Sequence, residues 1–249
     1  MARMSTGHPV AERLLGIALA LALFLVASLL AWRALAAADF LFPLWYDWMG
    51  IDQTIQVYAP QNRFRHGFET TEKRERLRLF SAIVTAIHRQ GAGLGALRYH
   101  ARDGQPLGHF LTPPEQQHLV DVARLIDRYQ QLAWGSAGLS LLLLLALRRG
   151  RWRLPGGQQL LLGWLTLLLT LALLILAMGA ERLFYLLHEW VFPAGHQWFF
   201  YYQDSLMSML MQAPNLFAYI AVVWLLLSLL AYLLLLWLAR RLLAPTQTG

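Results

Sequence analysis

Two histidines in this sequence have neighbours that could support proton transfer. The first is His118, in the run EQQHLVD at positions 115–121. Residues three apart share one helix face, so a helix would align Glu115, His118 and Asp121 in a polar stripe. A carboxylate beside an imidazole fixes its tautomer and stabilises its charged form, which suits a proton-transferring histidine. The same spacing also fits a solvated helix face with ordinary surface charges.

The second histidine is His188, in the run RLFYLLHEW that begins at Arg182. It follows Tyr185 by three positions and Phe184 by four, so a helix would put it on an aromatic face. One interpretation is an interfacial histidine whose ring reaches water. Ionisable side chains at membrane depth usually face the protein interior, which favours a functional role. The aromatic run at 198–202 that follows is typical of a membrane–water interface.

Other chemistries have weaker support. A metal site is conceivable from four side chains: His118, Asp121, His188 and His196. However, the H-E-x-x-H signature of helical zinc sites is missing, and the chain has no cysteine to act as a thiolate ligand or nucleophile. Ser205 and Ser208 lack the G-x-S-x-G elbow of a serine hydrolase. We expect no metal and no cofactor.

The elements that carry these residues are predicted to be membrane helices. The chain is 57% hydrophobic and only 14% charged, whereas soluble domains carry about a quarter charged residues. Four apolar runs reach the roughly 20 residues that cross a bilayer. The prediction is a single all-α membrane domain with spans at approximately 14–35, 129–147, 157–180 and 215–239. A small-residue site at 35–38 resembles a signal-peptide cleavage site, but the first run is longer than a signal core, which favours a retained anchor.

Arginines in short loops predict the orientation of the chain. The turn at 148–153 holds four arginines and no acid, which marks it as cytoplasmic. Arg240 and Arg241 after the last run, and Arg3 and Arg13 before the first, agree with this orientation. Both termini are therefore expected inside, with segments 39–128 and 181–214 on the extracytoplasmic face. The positive charge is then a topology signal, and nucleic acid is not expected as a partner.

The outer segment has signals of its own. Apolar residues at three- and four-residue spacing from Leu77 to Ile87 predict an amphipathic helix that begins near Thr70 or Thr71. Asp103-Gly104 between two short apolar runs indicates a small β-hairpin. The stretch TPPE at 112–115 predicts a helix start with a capping box. That helix could continue into the second span. The fold class is therefore all-α, with a mainly helical extracytoplasmic cap that could include a hairpin.

Two motifs resemble a known family. They are E-x-x-H-x-x-D-V at 115–122 and F-x-x-x-H-x-x-x-F-P-x-G-x-x-W…D-S-L…P from Phe184 to Pro214. Together with four spans and a large outer segment, they are similar to the bacterial lipoprotein intramolecular transacylases, the Lit family. Leu119 and Ala123 depart from the pattern, as does the Pro-rich sequence before Glu115. These departures bear on the substrate more than on the reaction, so another acylated substrate stays open.

The resemblance implies a lipoprotein-modifying acyltransferase in the bacterial cytoplasmic membrane, whose partners are diacylated lipoproteins and membrane lipids. It would move the sn-2 acyl chain of the lipidated N-terminal cysteine onto the α-amino group and leave a lyso-form lipoprotein. His188 would be the general base and His118 its partner, with Asp121 fixing His118. The expected substrate-binding residues are Arg182, Glu115, Tyr185, Trp198 and Asp204. Two alternatives stay open, a non-enzymatic membrane assembly protein and a metal-dependent membrane hydrolase.

Overall fold

The computed structural model describes residues 9–150 and 154–244 and is mainly helical. The helices and strands are, in order, α1 (Pro9–Ala37), α2 (Phe42–Trp48), α3 (Ile51–Tyr58), α4 (Lys73–Ile87), β1 (Arg98–His100), β2 (Pro106–His109), α5 (Pro113–Gly150), α6 (Gly157–Met178), α7 (Ala180–Val191), α8 (Leu206–Met211) and α9 (Asn215–Leu243). The chain divides into two compact units.

The first unit comprises the described residues of Met1–Ala31, Gln131–Leu187 and Leu225–Gly249. Its apolar core joins α1, α5 and α9 through leucines and Tyr232. The Phe24 ring lies against Trp164, with 4.3 Å between the ring centroids. A Cβ at Gly16 would come within 2.6 Å of the Pro155 ring, so glycine allows the α1 backbone to pack closely there.

Three helices among the described residues are long and apolar enough to cross a membrane. They are Val10–Ala37, Pro113–Gly150 and Asn215–Leu243. The 38 residues of α5 span about 57 Å at 1.5 Å per residue, far more than a hydrocarbon core of about 30 Å. Its charged residues lie before position 129 and at Arg148 and Arg149, so they flank the apolar run at 129–147. The predicted continuation of this helix into the apolar run is confirmed.

The start of α5 also has the predicted capping box. Thr112 donates through its backbone N–H and its Oγ1 to Glu115 Oε2, and Glu115 N–H donates back to Thr112 Oγ1 at 3.3 Å. Residues 151–153 of the predicted cytoplasmic turn lie outside the described residues. The rest of that turn, 148–150, is the last turn of α5.

The second unit comprises Trp32–Gln130 and His188–Trp224. Its core is built from the apolar face of α4, with Phe80, Ile83 and Val84 buried. Arg76, on the charged side of the predicted helix, is also buried because the fold supplies partners. It donates to Asp52, to Tyr46 Oη at 2.7 Å and to Thr71 Oγ1 at 2.9 Å. Spacing along α4 could not reveal those partners, since they come from other segments.

A two-stranded antiparallel sheet completes this unit. β1 pairs with β2, with Arg98 opposite His109, and Gly104 in the connecting turn has φ +84°. His100 N–H and Nδ1–H both donate to Glu75 Oε1 at 2.9 Å, which fastens the sheet to α4. The expected interfacial run at 39–62 contains α2 and α3, with Phe42 and Tyr46 buried in the same core.

Candidate active site

His118 lies in the second turn of α5, where aromatic rings shield it from water. Its imidazole centroid is 4.9 Å from that of Phe192 and 6.1 Å from that of Phe200. Desolvation is the main reason that the pKa of His118 is lowered from 6.5 to about 4, and positive charge on His188 lowers it further while Asp121 raises it. At neutral pH His118 is therefore an uncharged imidazole.

His188, near the end of α7, contacts the same aromatic group. Its ring lies 5.3 Å from Phe192 and 4.8 Å from Trp198. Because both imidazoles contact Phe192, their centroids are separated by no more than the sum of its two ring distances. The structure thus brings together two histidines that are 70 positions apart in the chain, and each is only half-buried.

Asp121 makes its hydrogen bonds with residues other than His118. Its Oδ2 accepts from His196 Nδ1 at 2.6 Å, and its Oδ1 accepts from Arg124 at 3.0 Å and from Gln117 at 3.4 Å. The carboxylate is buried, with a side-chain exposure of 4% against 34% for His196. The hydrogen bonds of Asp121 thus go to these three residues, and its role in orienting His118 stays a prediction. Its influence on His118 is electrostatic.

Sequence reasoning gave His196 no role beyond the conceivable metal set. It lies in the segment 192–200, which carries the rings of Phe192, Trp198 and Phe200 around the two histidines. We call the Asp121–His196 contact the clip, because it joins this segment to α5. Its only sequence signal was the position of His196 directly after Gly195 inside the second motif. Gly195 has φ +83°, a backbone conformation that favours glycine.

Glu115 forms its hydrogen bonds within the protein. Its side chain is fully buried, and both carboxylate oxygens accept hydrogen bonds. One oxygen serves the capping box, and the other accepts from Ser205 Oγ. Ser205 is also the N-cap of α8, accepting from Ser208 N–H at 2.8 Å. Glu115 therefore lies at the junction between the start of α5 and the start of α8, together with Ser205.

Asp204 is likewise engaged within the protein. Arg63 forms two parallel contacts with it, from Nε to Oδ1 at 2.6 Å and from Nη2 to Oδ2 at 2.5 Å. Arg63 N–H also donates to the Gln203 carbonyl at 2.8 Å. These contacts fasten the segment before α8 to the chain after α3, so the carboxylate of Asp204 is neutralised by a neighbour.

The remaining predicted substrate-binding residues are distributed between the two units. Arg182 is exposed and Tyr185 is half-buried on the part of α7 that belongs to the first unit, where Tyr185 contacts Phe184 at 6.0 Å between centroids. Trp198 belongs to the second unit and contacts His188 directly.

The second unit contains an open cleft of about 800 Å³. Its walls come from the sheet, the start of α5 and the segment that precedes α8, and they include Arg65, Leu107, His109, Pro114 and Phe200. We call it the hairpin cleft. Phe200 connects it to the histidine pair, since the same residue lines the cleft and lies near His118.

Three or more His, Asp or Glu side chains that could hold a metal ion do not converge anywhere in the described ranges 9–150 and 154–244. What the geometry provides is a pair of half-buried imidazoles, one of them held neutral, against a set of aromatic rings. Such a pair can take a proton from one group and return it to another.

Long apolar helices and this histidine pair define the molecule as an integral membrane protein with a candidate acid–base site. A family model described as Lipoprotein intramolecular transacylase Lit matches residues 17–217. The chain therefore belongs to the family of lipoprotein intramolecular transacylases and is an enzyme of that class. The resemblance drawn from the two motifs is confirmed.

Solved structures agree with this assignment at the level of the fold. The chain is similar to the membrane integral lipoprotein intramolecular transacylase Lit from Bacillus cereus, with a TM-score of 0.64 and 19% identity over 94% of this chain and 97% of that one. Two variants of the same protein, each with one histidine replaced, match equally and are covered over 92% and 94% of their length. No curated protein sequence matches the chain.

Proposed function

We propose that this enzyme moves the sn-2 acyl chain of a diacylglyceryl-modified lipoprotein from the glyceryl oxygen to the α-amino group of the N-terminal cysteine. The observation that carries the proposal is the pair of imidazoles, His118 and His188, in contact with the single ring of Phe192. A chain of the transacylase family needs a base for an amine and an acid for an alcohol, and this pair offers both.

The reaction balances without a protein nucleophile. The amine nitrogen attacks the ester carbonyl carbon, a C–N bond forms and the C–O bond to the glyceryl group breaks. The nitrogen gives up a proton and the departing sn-2 oxygen gains one, so the products are an amide and a free hydroxyl on the same lipoprotein. Because nucleophile and ester belong to one molecule, holding them together contributes up to roughly 7–11 kcal/mol in favourable intramolecular reactions.

We assign His188 as the general base and His118 as its acid partner. A free α-amine has a pKa of about 8 and must be neutral to attack, so a base is required. The proton that His188 takes from the amine would pass to His118, and the low pKa of His118 makes the imidazolium so formed a strong acid that gives this proton to the leaving oxygen. Since a charge on His188 lowers the pKa of His118, the pair favours holding a single proton, as a shuttle requires.

Asp121 supports the site through the clip. The bond from His196 to its buried carboxylate holds the segment with Phe192, Trp198 and Phe200 against α5. Those rings exclude water from the two imidazoles, and water exclusion maintains the low pKa of His118. Trp198 is the proposed wall for the reacting ester, and Arg182 and Tyr185 on α7 are proposed contacts of the lipid portion.

The proposed topology has both termini in the cytoplasm and the site at the extracytoplasmic face, with α6 as a fourth crossing. Arg148 and Arg149 in the last turn of α5, and Arg240 and Arg241 in the last turn of α9, support cytoplasmic ends for these two helices. The α6 helix has 22 residues without a charged side chain, enough for a crossing. Lipidated substrates are anchored at the outer leaflet, where the second unit would then lie.

The test is expression in a host that lacks N-acylating enzymes, followed by mass spectrometry of a lipoprotein N-terminus. The expected product is an N-acylated lyso-form that disappears with His188→Ala or His118→Ala. His100→Ala is the matched control, because His100 is a half-buried histidine on the sheet of the same unit. A free amine with both O-acyl chains retained would refute the reaction. A lyso-form made by the double His118/His188 variant would refute the assignment of the two histidines.

A further inference from the structure

The histidine pair gives no role to the hairpin cleft, although the cleft lies next to the pair. Pro114 lines the cleft and precedes His118 by four residues, so the two lie on the same face of α5, about 6 Å apart along the helix axis. Phe200 forms a wall of the cleft, and its ring centroid is 6.1 Å from that of His118. A substrate whose amine is held at the histidines can therefore extend into the cleft without a break.

The charges that face the cleft are not balanced. Among the described residues that line it, Asp204 is the one carboxylate, and Arg63 already neutralises it. Arg65 also lines the cleft and donates from Nε to the His109 carbonyl at 2.7 Å, while its buried Nη1 has no hydrogen-bond partner within the described residues. His66 and His109 add two more imidazoles to the walls. The fixed charge left over is the guanidinium of Arg65.

The chemistry of the walls fits peptide better than lipid. The lining alternates apolar residues such as Leu107 and Pro113 with hydrogen-bonding groups such as Gln197, and a volume of about 800 Å³ is in the range of binding pockets. Apolar acyl chains make no use of the hydrogen-bonding groups on these walls. The part of a lipoprotein that must stay in water is the peptide after its lipidated cysteine.

We propose that the hairpin cleft binds the first residues of the mature peptide after the lipidated cysteine, and that Arg65 makes it favour acidic or uncharged side chains over basic ones. This inference rests on the proposed function. It adds a binding site and a specificity-determining residue that the acyl-transfer step alone does not require.

The first experiment measures turnover of synthetic diacylglyceryl-cysteinyl peptides by the full-length enzyme in detergent. The peptides differ only at the second and third positions, which are Asp-Asp, Asn-Asn or Lys-Lys. We expect KM for the Lys-Lys peptide to exceed that for Asp-Asp by roughly three- to ten-fold, as a partly screened charge interaction would give. Arg65→Gln should bring the ratio close to one, whereas Arg65→Lys should preserve the ratio. Arg89→Gln, on an exposed arginine of the same unit, is the control.

An unchanged KM ratio in Arg65→Gln would overturn the assignment to Arg65, and equal KM values in the wild type would overturn the specificity. A second readout needs no turnover. A lipopeptide with a photoreactive phenylalanine at its third position should crosslink to residues 64–66, 99–114 or 197–204 in wild type and in His118→Ala. Crosslinks elsewhere would refute the peptide site, and displacement by glycerol 3-phosphate would assign the cleft to a lipid headgroup. Correct crosslinks with no acyl transfer in the wild type would refute the proposed function and retain the peptide site.

Discussion

Replacing His196 by glutamine should slow acyl transfer about ten-fold although His196 is outside the proposed acid–base pair. The bond from His196 Nδ1 to Asp121 Oδ2 measures 2.6 Å and is directed to a buried carboxylate. A hydrogen bond to a charged group contributes about 1.5–3 kcal/mol, and the partial exposure of His196 puts this bond near the lower value. A loss of about 1.4 kcal/mol is a factor of ten in an equilibrium constant. The equilibrium constant for packing the segment 192–200 over the histidines would then fall about ten-fold.

His100→Gln is a closely matched control for this prediction. His100 donates to Glu75 at 2.9 Å, its side-chain exposure is 37% against 34% for His196, and Glu75 pairs with an arginine three residues later, as Asp121 does. The substitution removes the same kind of contact from the same unit. The lost contact, however, fastens the sheet to α4 and does not involve the aromatic segment. The turnover of the variant should stay close to the wild type, with a comparable loss of stability.

The assay is kcat for lyso-form production, combined with hydrogen exchange of residues 192–200. His196→Gln should lower kcat and speed exchange in that segment, while His100→Gln should speed exchange near the sheet alone. The reasoning is refuted if both substitutions reduce kcat equally, or if His196→Gln speeds exchange and leaves kcat unchanged. In the second case the packed segment would not be needed for the chemistry.

Three further predictions follow from single contacts. Because the folded-state pKa of His118 is about 4 and lies below the ordinary 6.5, the unfolded chain binds a proton that the folded chain does not between these values. Stability should therefore fall as the pH falls from 6.5 to 4, and His118→Gln should flatten that part of a plot of unfolding temperature against pH. Glu115→Ala should cost about 2–4 kcal/mol of stability because it removes a helix cap and unpairs Ser205. Thermal unfolding measures that loss, and active-site titration should show that kcat per folded molecule is retained. Arg76→Met should destabilise the second unit by about 3 kcal/mol because it leaves buried acceptors unpaired. A variant that unfolds at the same temperature as the wild type would contradict the role of that network.

Local patterns predicted local structure well in this chain. The capping box at Thr112 and Glu115 depends on residues three apart, and the apolar face of α4 depends on three- and four-residue spacing. Both signals depend on the spacing of nearby residues and are therefore present in the sequence itself. The two histidine motifs also led to the correct family, because their spacing is characteristic of it.

Contacts between distant segments could not be predicted in this way. Arg76 is on the charged side of α4 by spacing, yet it is buried because Tyr46 and Asp52 from earlier segments receive it. His196 and Asp121 are 75 positions apart, and neither neighbourhood indicates the other. A lone histidine next to glycine gives no periodic signal, so its partner could be identified only from the folded structure.

The arrangement of the three histidines explains why the carboxylate pairs with His196 and not with His118. A hydrogen-bonded carboxylate stabilises the charged form of an imidazole and would counteract the desolvation that holds the pKa of His118 near 4. With its oxygens directed to His196, Arg124 and Gln117, Asp121 affects His118 through its charge alone. His118 thereby stays neutral and ready to accept and return a proton, while His196 provides the strong hydrogen bond that holds the aromatic segment. A substitution that turned Asp121 towards His118 would accordingly raise the pKa of His118 and weaken it as an acid.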